Sequence, residues 1–160
     1  MQVLVLYYSR SGNTEKLADG IAEGIKSVEG VNCIIRSVET VTKDDFLKSD
    51  GIIAGSPVYF GTMAAELKSI FDRFISLRKK MENKIGAAFA TSGDTTGGKE
   101  TTIFSIMQAM FIYGMIVVGD PMDATGHYGV ACTGMPDEKT LSNASKLGTR
   151  VAELVKKLAS

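Results

Sequence analysis

The stretch Ser9-Arg10-Ser11-Gly12-Asn13-Thr14 concentrates groups that suit a bound phosphate. Ser9, Ser11, Asn13 and Thr14 offer hydroxyl or amide donors, and Gly12 lets the backbone turn and come close to a ligand. A helix starting near Thr14 would add unsatisfied N–H groups and the positive end of its dipole. Ser, Asn and Thr are also the best helix caps. Capping needs only one such residue, however, and four together favour an anion site.

Other segments carry competing chemistry. Gly93-Asp94-Thr95-Thr96-Gly97-Gly98-Lys99-Glu100 comes within one residue of the nucleoside-triphosphate loop G-x-x-x-x-G-K-[ST]. Gly119-Asp120 could pass for a magnesium-binding strand end. Yet Glu100 stands where the metal-binding hydroxyl belongs, and it adds negative charge beside phosphates. The segment also follows a fourth strand rather than a first. Cys33 and Cys132 lack metal-ligand spacing, and with His127 as the one histidine there is no zinc set. No metal is expected. Both thiols read as small buried hydrophobes. An imidazole suits proton delivery, which makes His127 a candidate, although a lone loop histidine is more often a surface residue.

The elements that must position these groups alternate. Apolar strands are expected at Val3–Tyr7, Val31–Val38, Gly51–Gly55, Ile85–Ala90 and Met115–Val118. Between them, helical spacing marks residues 14–28, 63–77 and 99–113, and a last helix covers about 137–158. Only a weak helix follows the second strand. Strands apolar on both faces and joined by helices imply a parallel sheet in a three-layer α/β/α sandwich. Gly and Ser gather after the first, third and fourth strands, where open α/β sheets bind ligands.

Composition narrows the classes. The 160 residues are 44% hydrophobic and 22% charged, which suits one domain over residues 1–160. Eighteen basic residues balance eighteen acidic ones, which argues against a nucleic-acid footprint or a polybasic membrane surface. The most apolar stretch, residues 103–118, falls short of the ~20 residues a membrane span needs. The apolar start, Met1 to Tyr8, is short and lacks a basic n-region and a cleavage site, so it is not expected to be a signal peptide. A soluble cytoplasmic protein is expected. Met107, Met110, Met115 and Met122 read as core, with a homo-oligomer interface as a second reading.

Ser9-x-Ser11-Gly12-Asn13-Thr14 after a first strand resembles the FMN phosphate loop of the flavodoxin-like family. Gly55-Ser56-Pro57-Val58-Tyr59-Phe60-Gly61-Thr62-Met63 resembles the loop lining the flavin ring in the tryptophan-repressor-binding-protein type of NAD(P)H:quinone oxidoreductase. Thr91-Ser92-Gly93-Asp94, continuing to Gly97-Gly98-Lys99-Glu100-Thr101-Thr102, resembles their third flavin loop, and Tyr128-Gly129 before Val130-Ala131 resembles a late motif. The resemblance spans nearly the whole chain. It implies a flavodoxin-like five-stranded parallel sheet of order 2-1-3-4-5, with FMN at the switch point between strands one and three, the placement for which flavodoxin is the standard example.

By that resemblance, Ser9, Ser11, Gly12, Asn13 and Thr14 hold the phosphate, in a loop that includes Arg10. Pro57, Val58, Tyr59, Phe60 and Gly61 approach the flavin ring, with backbone N–H groups near Phe60 and Gly61 facing N5. Thr91, Ser92, Gly93 and Asp94 contact the pyrimidine side and ribityl chain, and Gly97 and Tyr128 complete the set. His127 is a candidate proton donor. Two redox roles follow. One is a flavodoxin-type electron carrier docking with redox partner proteins, which the compact length favours. The other is an NADH- or NADPH-dependent quinone reductase acting on a small quinone, which the loop motifs favour. Flavodoxins are usually strongly acidic, so the neutral charge balance departs from the carrier pattern. Outside redox chemistry, a nucleotide-binding regulatory module could use the same cleft.

Overall fold

The computed structural model describes residues 1–159. Strand β1 (Gln2–Tyr7) leads to helix α1 (Asn13–Lys26), then β2 (Asn32–Ser37) and the short α2 (Lys43–Lys48). Strand β3 (Gly51–Tyr59) turns into β4 (Thr62–Met63), followed by α3 (Ala65–Arg73) and a 3₁₀ turn at Ile75–Lys80. Then come β5 (Ile85–Ser92), α4 (Lys99–Ile112), β6 (Ile116–Val117), β7 (Ala131–Thr133) and α5 (Glu138–Ala159).

The sheet runs β2-β1-β3-β5-β6 with parallel pairing throughout; β7 continues alongside β5, and β4 forms an antiparallel hairpin with β3. This is the expected flavodoxin-like order. Strand periodicity divides the core. Val3 and Val5 pack with Leu17, Ile21 and Val151 on one face, while Leu4 and Leu6 pack with Phe46, Leu67 and Ile106 on the other. Helices α1 and α5 cover the first face; α2, α3 and α4 cover the second. Among the described residues, no helix is long and apolar enough to cross a membrane.

Three boundaries differ from expectation. Strand β3 continues past Gly55 to Tyr59, because Gly55, Ser56 and Pro57 keep pairing with Phe89, Ala90 and Thr91. Strand β1 has ended its pairing by Gly55, so Pro57 removes no donor that a second neighbour needs. Gly55 itself cannot carry a side chain: a Cβ there would lie 2.1 Å from the Phe89 ring. The third helix starts at Ala65, since Met63 is taken up in β4 pairing with Val58. The fifth strand is two stubs, β6 and β7, separated by residues 118–130. Where the chain leaves the sheet, Gly119 is pressed against the His127 carbonyl; a Cβ there would sit 2.1 Å away.

Candidate functional site

The ends of β1, β3 and β5 converge on a cleft of about 430 Å³. Its lining is Arg10, Ser11, Asn13, Thr14, Pro57, Val58, Tyr59, Thr91, Ser92 and Gly93, drawn from three loops far apart in sequence. Its one charged lining residue is Arg10, and no carboxylate lines it.

The first loop resolves the capping question. Gly12, in the left-handed region at φ +88°, is the N-cap of α1, and no side chain caps the helix. The helix's first N–H groups therefore lack an intrahelical acceptor. Ser9 supports the turn from within, its Oγ accepting the Gly12 N–H at 3.1 Å. Thr14 takes an unexpected position. It is buried, and its hydroxyl lies 2.8 Å from that of Thr91, joining the first loop to the end of β5. Each hydroxyl retains further hydrogen-bonding capacity.

The second loop is a tight hairpin. Phe60 and Gly61 form its two-residue turn with φ of +52° and +77°. Positive φ at both positions is the backbone that twisted hairpins prefer. Buried Ser56 locks the base: its Oγ accepts the Ala64 N–H at 2.8 Å and donates to the Pro57 carbonyl at 2.7 Å. The Met63 N–H donates to Ser105 Oγ at 3.0 Å, tying the hairpin to α4. Tyr59 meets Tyr8 edge-on at 6.3 Å between ring centres. Phe60 is fully exposed at the tip.

The third loop is organised by a backbone carbonyl. Ser92 Oγ, the Gly97 N–H and Thr133 Oγ1 all donate to the Asp94 carbonyl oxygen. The Asp94 residue itself is exposed. Gly97 permits this turn, since a Cβ there would lie 2.9 Å from that same oxygen. Gly93 has open space around it. Lys99, the residue that suggested a triphosphate loop, donates instead to the Thr95 carbonyl at 3.0 Å and Thr133 Oγ1 at 2.8 Å.

His127 and Tyr128 do not join this cleft. They line a separate cavity of about 270 Å³ with Asp120 and Asn143. Tyr128 packs on Phe104 of α4 at 4.7 Å. Asp120 is 6% exposed; its Oδ2 accepts the Gly129 N–H at 3.0 Å and its Oδ1 has no partner. Burial pushes its carboxyl pKa up, against the pull of the Gly129 N–H, Arg150 and His127. Arg150 donates to the Gly119 and Asp120 carbonyls. A third, larger depression of about 940 Å³ lies between the hairpin, the start of α3 and α4, with Tyr59 on its wall.

Sequence reasoning missed Ser56 and Asp120 as organising groups. A serine inside a buried strand and an aspartate ending the run Val117-Val118-Gly119 were the available signals. Burial holds both thiols, Cys33 and Cys132, up at about 11.

The profile of the family described as NADPH-dependent FMN reductase matches residues 37–128. A flavodoxin of Aquifex aeolicus is 37% identical over 161 positions, covering 96% of this chain and 86% of that protein. An NAD(P)H dehydrogenase (quinone) of Archaeoglobus fulgidus is 33% identical over 188 positions, covering 98% of each. Among solved structures, a flavodoxin from the domain Archaea superposes with a TM-score of 0.80 at 30% identity, covering 98% of this chain and 99% of that one. By sequence and by fold, this chain belongs to the flavodoxin-like NADPH-dependent FMN reductase family.

Proposed function

We propose that the chain binds FMN in the 430 Å³ cleft and transfers electrons through it as a flavodoxin-type redox protein. The observation that carries this reading is the uncapped N-terminus of α1 opening beside hydroxyl-rich loops at the switch point between β1 and β3. The residues fit the group. The cleft volume lies within the ordinary range for small-molecule sites. Donors gather where a phosphate would sit, and no carboxylate opposes its charge. Bound FMN supplies one- and two-electron chemistry.

The protein's part is positioning. Ser11, Asn13, Ser9 and the Gly12 turn hold the phosphate, with Arg10 at the mouth. The Thr14–Thr91 contact fixes the phosphate loop to the loop that meets the ribityl chain and pyrimidine edge. Pro57 through Gly61 border the ring, with Ser56 keeping the hairpin in place. Asp94 and Gly97 act through the backbone turn they share. His127, the candidate proton donor, lines the separate 270 Å³ cavity. Residues 1–160 serve as one FMN-binding domain. We place the protein in the cytoplasm, with redox proteins as partners.

The family match favours a second reading, an NADH- or NADPH-dependent reductase of a small quinone. The quinone-dehydrogenase alignment runs to 188 positions against a chain of 160 residues, so that relative carries segments this chain lacks. The flavodoxin alignment, at 161 positions, needs almost none, and this keeps the carrier first.

Titration with FMN, followed by quenching of its fluorescence, tests the cleft. Replacing Ser11 and Asn13 together by Ala is expected to weaken binding at least about tenfold, from lost charge-assisted hydrogen bonds. Protein that takes up no added FMN refutes both redox readings. Stopped-flow mixing with NADPH or NADH then separates them: bleaching within seconds identifies the reductase, and none over many minutes the carrier.

A further inference from the structure

We infer that Asp120 is the latch of a pH-operated strap: residues 118–130 stay closed over the sheet edge while its carboxyl holds a proton, and loosen when it ionises. Asp120 lies between β6 and β7 and is 6% exposed. Its Oδ2 accepts the Gly129 N–H at 3.0 Å, and its Oδ1 has no hydrogen-bond partner. A neutral acid bears that setting far better than a carboxylate, which has about four acceptor sites to satisfy. Burial accordingly pushes the carboxyl pKa up.

The surrounding charges leave the carboxylate incompletely paired. From α5, Arg150 turns its guanidinium to the Gly119 and Asp120 carbonyls; its field favours the ionised form, but it donates to neither carboxyl oxygen. Within the strap, His127 acts in the same direction. From α4, Lys99 and Glu100 line the adjoining cavity with opposite charges, and Lys99 is committed to the Thr95 carbonyl and Thr133 Oγ1. Strand β5 carries no charged residue.

The strap offers this carboxyl two places. In the closed one, glycines let the turn fold onto itself: a Cβ on Gly126 would lie 2.2 Å from Asp120 Oδ2, and one on Gly119 2.1 Å from the His127 carbonyl oxygen. In the other, the ionised carboxylate swings into the 270 Å³ cavity it already lines and exchanges the Gly129 N–H for water. That volume takes several waters, at about 30 Å³ each. Thr125 and His127 line the cavity and are exposed, so water enters there and the proton leaves to solvent by the same route.

The strap runs directly into the third loop of the cleft. The Val130 carbonyl accepts the Ala90 N–H at 3.1 Å, β7 pairs with Ala90–Ser92, and the Gly134 N–H donates to the Ser92 carbonyl at 2.8 Å. Ser92 lines the cleft, so a loosened strap frees one wall of it and bound FMN leaves faster as pH rises. That consequence rests on the flavin reading; the latch does not.

Hydrogen–deuterium exchange of the full chain tests the latch, read by mass spectrometry on the strap peptide and corrected for the intrinsic pH dependence of exchange. The closed strap binds the proton more tightly than the open one. Closure is therefore complete below the open carboxyl's pKa of about 3.9 and is lost as pH rises through the closed value. Between about pH 4 and about pH 8, protection of the strap is expected to fall at least about fivefold, with β1 unchanged. Asp120→Asn, which keeps an acceptor for Gly129 and cannot ionise, is expected to hold protection within about twofold over that span. Gly126→Ala, whose Cβ meets Oδ2, is expected to open the strap already at the acid end. Wild-type protection that does not change with pH overturns the inference. So does an Asp120→Asn chain that keeps the wild-type slope, or a Gly126→Ala strap as protected as wild type in acid. Titrating the same samples with FMN keeps the readings apart. A strap that loosens on a chain taking up no FMN sinks the flavin reading and leaves this one standing; a chain that binds FMN under a pH-blind strap does the reverse.

Discussion

On one side of the sheet, α1 and α5 lie so close that a Cβ on Gly24 would fall 1.8 Å from the Ser145 carbonyl oxygen, and one on Gly148 2.0 Å from that of Ile21. On the other side, α3 and α4 leave a wide groove between them, over a core of Phe46, Phe71, Phe74 and Tyr113 rings meeting edge to face. The first face is finished by backbone contact and turns charges to water. The second is solid below and, over α4, presents Phe104, Phe111 and Ile112 on top. Both bury the same sheet, so the difference lies in the outermost layer. One face is closed by the chain itself; the other leaves a groove and the apolar side chains Phe104, Phe111 and Ile112 of α4 open. Residues 118–130 form the seam between them, held by Arg150 of α5 on one side and by Tyr128 against Phe104 of α4 on the other.

The contrast can be broken most forcefully at the glycines. Gly24→Leu must push α5 off α1, and a loss of about 3 kcal/mol or more is expected in urea unfolding. A mild effect would mean that the closed face is looser than it looks. Phe46→Ala removes the hub of the ring cluster and should cost about 3 kcal/mol by the same measurement. That result would show the second face to be as firmly cored as the first.

At the seam, Asp120→Asn keeps an acceptor for the Gly129 N–H and removes a buried charge. The folded-state pKa of Asp120 lies above the unfolded value. Its contribution to stability is therefore complete below about pH 4 and is lost as pH rises through the folded value. The variant should gain on wild type as pH rises above about 4. A constant difference across that range would mean that the carboxyl titrates normally. The smallest effect is expected on the open face. Phe111→Gln should change thermal unfolding by under about 0.5 kcal/mol, because that side chain is already 61% exposed.

Much of this architecture was legible in the sequence. Val3-Leu4-Val5-Leu6 announces a strand buried on both sides, and Leu67, Ile70 and Phe71 announce a helix face. The failures have physical causes. Two-residue strands such as β6 carry no period to detect. Gly55-Ser56-Pro57 has turn composition, yet it stays extended because Phe89 needs the missing side chain at Gly55. Ten of the proposed cofactor residues do line one cleft. What composition could not show is the Thr14–Thr91 contact, which joins hydroxyls 77 positions apart. Nor could it show that Phe104, Phe111 and Ile112 of α4 face outward while Ile103, Ile106 and Met110 are buried, because the run is apolar at both sets of positions.

The divided last strand has a further consequence. Stubs β6 and β7 each pair with β5 on their own, at Ile85–Gly86 and at Ala90–Ser92. The register of the sheet is therefore fixed on both sides of residues 118–130, and their number is left free. Doubling such a loop costs only about 0.6 kcal/mol in closure entropy. The fold thus has an expansion joint at its edge, beside the cleft, where length can be added or removed while every strand keeps its neighbours.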